Sequence, residues 1–134
     1  MHFVTRFAIA ALVIGAAAVS ACSSDPARPN PGDPECVIPA NGDFRDSTQG
    51  RVVIKDFAFN PAAIQVRTGM TVKWVFCDGP NTDSHTVTSD AGLWDSGLIT
   101  YAVGTYSRPF PATGSFPYHC IPHPIMEGTV TVVD

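Results

Sequence analysis

Apolar and polar side chains alternate along most of the second half of this chain. Ile64 and Val66 alternate with polar neighbours. After a Thr-Gly turn, Val72, Trp74 and Phe76 alternate with Thr71, Lys73 and Val75. A period of two residues is typical of strands that bury one face. Similar runs lie at 51–57, 85–89, 105–110, 115–120 and 129–133.

The same pattern predicts the fold class. No stretch of useful length shows the period of an amphipathic helix, and turn residues separate the short apolar runs. Such a pattern is typical of a two-sheet antiparallel β-sandwich, an all-β fold. The expected core consists of inward-facing apolar positions, namely Ile54, Phe57, Val66, Val72, Trp74, Val87, Tyr106, Phe110, Phe116, Tyr118, Val130 and Val132.

The N-terminal residues indicate export rather than part of the fold. Arg6 precedes an apolar run at 7–19, which is shorter than the roughly 20 residues that a membrane-spanning helix needs, and small residues follow it. We therefore predict that residues 1–21 are a signal peptide. The Val-Ser-Ala-Cys sequence at 19–22 resembles a bacterial lipobox, which predicts a lipid anchor on Cys22. The alternative is a soluble exported protein that is cleaved nearby.

A proline-rich spacer follows the predicted anchor. Residues 23–35 contain four prolines and no large apolar side chain, so this segment cannot bury enough surface to fold. We assign 22–35 to the lipidated cysteine and its spacer, and 36–134 to one folded domain whose regular part is 51–134. The predicted location is extracytoplasmic, in the periplasm or at the cell surface, with Cys22 attached to the membrane.

Charge and composition exclude several functions. The formal net charge is −4, and loss of Arg6 with the signal peptide makes it one unit more negative. An acidic domain without a basic stripe does not favour nucleic acid as a partner. The sequence has no glycine-rich phosphate loop, paired-carboxylate set or nucleophilic triad, so neither an enzyme nor a small-molecule substrate is expected.

A metal-binding pattern lies near the C-terminus. Cys120, His123 and Met126 have Cys-x2-His-x2-Met spacing between two strand-like runs. Soft sulfur donors with an imidazole suit copper, whereas a thioether adds nothing to a zinc site. The alternative is that the cysteine and methionine only fill the core.

His85 is the natural fourth donor, because it begins a strand-like run after a loop of turn residues. His2 would leave with the signal peptide. His119 neighbours Cys120 and must face the opposite side of its strand, so it is expected at the surface or behind the ligands.

These residues make the chain resemble the cupredoxins, the small blue copper proteins, and their amicyanin, pseudoazurin and plastocyanin-like members. The resemblance implies a Greek-key sandwich that binds one copper ion, cycling between Cu(I) and Cu(II), through His85, Cys120 and His123, with Met126 as a weak axial ligand. The matching segments cover nearly all of residues 51–134, and lie at 56–61, 66–74, 85–90, 94–98 and 118–132.

The resemblance departs from the family pattern at one place. Related proteins often have an asparagine two residues after the tryptophan, where this chain has Phe76 followed by Cys77. A hydrogen bond that steadies the ligand loops is therefore expected to be missing or to come from Asn81.

The ligand set predicts a one-electron carrier rather than an enzyme, since three strong donors and one weak axial donor suit both oxidation states of copper. We expect electrons to pass to redox protein partners through His123, within a surface formed by Pro122, Pro124 and Ile125, and we expect a monomer. One alternative is an extracytoplasmic module that buffers or delivers copper. A metal-free structural sandwich is another.

Cys36 and Cys77 remain once lipid and metal are assigned to the other two cysteines. An exported chain meets an oxidising compartment, so we predict that they form a disulfide. The alternatives are two free thiols or pairing with another chain.

Overall fold

The computed structural model describes residues 32–79, 82–100 and 104–134. The predicted signal peptide, Cys22 and most of the spacer lie outside these ranges. Among the described residues, no helix has the length and apolar character needed to cross a membrane. After a 3-10 helix at Pro34–Cys36, the strands are β1 (Gly50–Lys55), β2 (Ala58–Asn60), β3 (Ala63–Arg67), β4 (Thr71–Phe76), β5 (Thr88–Ser89), β6 (Thr105–Pro109), β7 (Gly114–His119) and β8 (Glu127–Val133).

The strands form two four-stranded sheets that face each other across the core. One sheet has the order β2-β1-β4-β6 and the other β3-β8-β7-β5. The predicted all-β Greek-key sandwich is confirmed. The pairs β1–β4 and β3–β8 are parallel, and the other pairs are antiparallel. Parallel neighbours arise because the chain crosses to the opposite sheet between them, which strand periodicity does not reveal.

Most of the predicted core positions are buried between the sheets. Tyr106 and Phe116 are only partly buried and pack against the margin of the core. Apart from His85, the largest fully buried side chains are aliphatic or aromatic, and burial of such side chains gives a sandwich most of its stability. The fully buried side chains include Val52, Ile54, Val66, Val72, Trp74, Phe76, Val87, Phe110, Tyr118 and Val130.

The prediction that Phe57 belongs to the core is wrong. Lys55 pairs with Ala58, so Asp56 and Phe57 form a two-residue hairpin turn, with φ of 54° and 56°. Two successive left-handed residues characterise the tight turn that matches strand twist. Phe57 therefore lies at the tip of the turn, where its side chain is 48% exposed.

A second, smaller apolar cluster lies beside β1 and β4. The predicted disulfide is present, joining Cys36 to Cys77 with a Cα–Cα distance of 5.5 Å. Both cysteines pack with Val53 and Val75. Lys73 also donates to the Glu35 carboxylate at 2.6 and 2.7 Å. The N-terminal arm is thus fixed against β4 by a covalent bond, an apolar contact and an ion pair.

Replacing Cys36 and Cys77 together by serine is expected to lower the free energy of unfolding. The bridge spans 41 residues, and closing such a loop in the unfolded chain stabilises the folded state by about 2–4 kcal/mol. Urea unfolding of the copper-free protein measures the difference. If titration of the unreduced protein finds these two thiols free, or if the double variant is as stable as the parent, the bridge does not have this role.

Candidate metal centre

Three potential ligands converge at one end of the sandwich. Cys120 follows β7, His123 lies in the loop that leads to β8, and His85 precedes β5. The Cys120 Sγ lies 3.7 Å from His85 Nδ1 and 3.6 Å from His123 Nδ1, and the two nitrogens are 3.1 Å apart. Metal bonds of about 2.0–2.3 Å to nitrogen and sulfur fit a single ion within such a triangle.

His85 is fixed by its backbone rather than by a regular strand. Of the strand predicted at 85–89, the structure forms only β5, which begins three residues after His85. His85 instead exchanges two backbone hydrogen bonds with Ile99, at 3.0 and 2.6 Å. Burial, and then the neighbouring His123, lowers the pKa of His85. Each effect disfavours the protonated ring. The neutral ring, which is the form that binds metal, is therefore favoured.

Backbone hydrogen bonds within residues 120–126 hold the segment that carries Cys120 and His123 in a closed loop. Cys120 accepts a hydrogen bond from the His123 N–H at 3.2 Å, and His123 accepts one from the Met126 N–H at 2.9 Å. The Cys120 N–H in turn donates to the Met126 carbonyl at 3.0 Å. Met126 is 1% exposed. It packs within the hydrophobic core, and its role as an axial ligand stays a prediction.

His119 is kept apart from the centre. Its Nδ1 lies 2.6 Å from Asp90 Oδ1, and its side chain is 36% exposed. Among the described residues, the set of ligand atoms within 4.8 Å of one another contains His85, Cys120 and His123 but not His119. The alternation of side chains along β7 placed it correctly at the surface.

A hydroxyl links the two ligand segments. Thr86 Oγ1 accepts a hydrogen bond from the Ile121 N–H at 2.9 Å, and the Thr86 N–H points at Cys120 Sγ at 3.4 Å. Phe76 itself offers no such hydrogen bond, because it is a core residue whose ring lies 5.6 Å from that of His85, and whether Asn81 supplies one stays a prediction. Asn81 lies outside the described residues. Sequence reasoning overlooked Thr86, although its position directly after a ligand was a usable signal.

Phe57 and Asp78 complete the surroundings. The ring of Phe57 meets His85 and His123 edge to face, at centroid distances of 5.6 and 4.9 Å. Asp78 Oδ1 accepts the N–H of Asp56 at 3.1 Å, and Asp78 Oδ2 lies 3.8 Å from His85 Nε2. One carboxylate therefore accepts a hydrogen bond from the hairpin turn that carries Phe57 and places a negative charge near the Nε2 of His85, beyond hydrogen-bond distance.

A two-sheet sandwich with a His, Cys, His donor set at one end, two of its side chains buried and the third partly exposed, defines a protein that can hold a single soft or borderline metal ion. The family model for copper binding proteins, plastocyanin/azurin family, matches residues 47–133. The chain belongs to this family, and its donor set is compatible with one copper ion.

Individual relatives agree with this assignment. Amicyanin from Paracoccus denitrificans is 28% identical over 134 residues, which is 95% of this chain and 94% of that protein. A reduced tryptophan-to-tyrosine variant of amicyanin superposes with a TM-score of 0.57 and 26% identity. The Cu(I) form of a methionine-to-alanine variant gives 0.57 and 27%. Both comparisons cover 65% of this chain and 84% of the other.

Replacing Thr86 by valine is expected to weaken the metal centre without unfolding the domain. Valine keeps the shape but leaves the Ile121 N–H without its acceptor, at a cost of about 1 kcal/mol. Unfolding of the copper-free protein and the rate of copper loss to a chelator both report the effect. Thr86→Ser restores the acceptor and should behave like the parent, whereas equal copper loss from the parent and the valine variant would exclude a role for this bond.

Proposed function

We propose that this protein is a one-electron carrier with a type 1 copper site. His85, Cys120 and His123 would supply the three strong ligands and Met126 the weak axial one. The convergence of three donors from two chain segments carries the proposal. A bound copper ion would supply the reversible change between Cu(I) and Cu(II).

The exposure of the ligands supports electron transfer through one side chain. His85 and Cys120 are 1% and 0% exposed, whereas the His123 side chain is 20% exposed. Ile125, beside it in the same loop, is 86% exposed. With Pro122 and Pro124 these residues form a small apolar surface, and small interfaces suit brief redox encounters.

Rigidity favours the same function. Backbone hydrogen bonds close the 120–126 segment, and Thr86 ties it to the segment that carries His85. Held in this way, the donors keep similar positions whether copper is oxidised or reduced. An electron carrier benefits because little structure has to rearrange on each transfer, whereas a copper-delivery module has to release its ion.

We further propose that the mature protein is monomeric and extracytoplasmic. In this proposal residues 1–21 are removed, Cys22 is lipidated, and 22–35 tethers the domain at 36–134 to the membrane. The Cys36–Cys77 bridge supports the location, because disulfides persist in oxidising compartments. Redox proteins outside the cytoplasmic membrane would be its partners.

Copper-loaded protein is expected to be intensely blue, because a buried thiolate next to two imidazoles makes a blue-copper site. Cys120→Ser removes the thiolate and should abolish the colour. Visible and electron paramagnetic resonance spectra provide the measurement, and repeated reduction and oxidation without loss of copper separates a carrier from a delivery module. A colourless Cu(II) protein, or a blue Cys120→Ser variant, would contradict the assignment.

Replacing Met126 by leucine is expected to retain the colour and raise the reduction potential. The change keeps the buried volume nearly constant, so the fold should tolerate it. It removes an axial donor, and the axial ligand tunes the potential of such sites. A redox titration of both proteins measures the shift, and an unchanged potential would show that Met126 is not an axial ligand.

A further inference from the structure

In both histidines of the metal centre, the ring nitrogen that faces away from Cys120 lies near a carboxylate. The two carboxylates belong to the loop that follows β4. The Nε2 of His85 lies 3.8 Å from Asp78 Oδ2, and the Nε2 of His123 lies 3.6 Å from Asp83 Oδ2. In each ring it is the other nitrogen, Nδ1, that faces the Cys120 sulfur. The loop thus places one negative charge behind each imidazole.

The local structure of the loop explains how Asp83 reaches this position. Cys77 is held by the disulfide, and Asp78 is held by the hairpin turn through its bond to Asp56. Thr82 then donates its N–H and its hydroxyl to the Gly79 carbonyl, at 3.3 and 2.6 Å. These bonds fix Thr82 beside Gly79, and the next residue, Asp83, lies 3.6 Å from the Nε2 of His123.

We propose that Asp83 is a positioning residue that lowers the reduction potential of the copper site. This inference rests on the proposed function. Its carboxylate faces the Nε2 of His123 on one side, while the ring of Phe57 packs against the imidazole at a centroid distance of 4.9 Å. Together they limit the rotation of the one ligand that reaches solvent.

The direction of the effect follows from charge. Reduction adds one electron to the site and removes one unit of positive charge, and no bond to Asp83 forms or breaks. A negative carboxylate behind the ligand stabilises the more positive, oxidised state. At 3.6 Å from the nitrogen, the carboxylate acts through space rather than as a hydrogen-bond acceptor.

Asp83→Asn is the test, because the amide keeps the shape and removes the charge. We expect the ratio of Cu(I) to Cu(II) affinity to rise by up to about tenfold, as the through-space effect of removing one charge near the site. The effect is not larger because the Asp83 side chain is 64% exposed and therefore screened. For a one-electron couple, tenfold corresponds to about 59 mV.

Asp46→Asn is the matched control. It makes the same change in net charge on a side chain that is 98% exposed and 3.6 Å from Arg67. Arg67 pairs with Val133 at the far end of β8, about 20 Å along the strand from the centre. That separation exceeds the screening length of about 10 Å at 0.1 M salt, so the potential should not move.

A spectroscopic measurement separates the local contact from a general structural role. Electron spin echo envelope modulation detects the remote nitrogen of a copper-bound imidazole, which is the ring nitrogen that does not bind the metal. We expect Asp83→Asn to change the coupling of one of the two remote nitrogens, that of His123. Asp83→Glu returns a carboxylate and should restore part of both the coupling and the potential.

The outcomes are distinct. If the Asp83→Asn and Asp46→Asn proteins both keep the reduction potential of the parent, with unchanged remote-nitrogen couplings, this inference is overturned. The proposed function would still stand as long as the parent protein is blue. Equal shifts in both variants would assign the effect to net charge and would also overturn it. A parent protein that is not blue would reject the proposed function itself.

Discussion

The structure depends on holding three ligand atoms close together although they come from segments 35 residues apart. Metal binding needs both Nδ1 atoms unprotonated, and the lone pairs of two such nitrogens 3.1 Å apart repel each other beside a buried thiol. The surrounding fold has to supply the free energy that keeps them in place. It does so through the backbone bonds of His85 to Ile99, the closed 120–126 loop and the Thr86 tie.

The N-terminal arm also restrains the residues around the metal centre. The disulfide connects Cys36 to the residue before Asp78, and Asp78 connects the 78–83 loop to the β1–β2 turn. That turn presents Phe57 to both imidazole rings. A segment far from the ligands in sequence therefore restrains the residues that surround them, and its covalent anchor lies next to the loop that carries both outer carboxylates.

The surface around His123 combines two opposite properties. Phe57 and Ile125 are large exposed apolar side chains, while Asp83 places a negative charge at the outer nitrogen of the ligand. Apolar surface allows close approach of a partner with little desolvation cost, and charge selects which partners approach. In the proposed function, the same few residues would determine both the environment of His123 and the surface that a redox partner meets.

Alternation of apolar residues was sufficient to predict the sandwich and most of its core. The Cys-x2-His-x2-Met spacing indicated Cys120 and His123, which the fold brings together with His85. Both signals are local. The parallel strand pairs and the positions of Phe57, Thr86 and Asp83 were not predictable in this way. Phe57 continues an apolar run, yet a two-residue turn places it at the surface. Thr86 and Asp83 act through contacts with residues 35 and 40 positions away. Those contacts exist only because strand pairing and crossing between the sheets bring the loops together at one end.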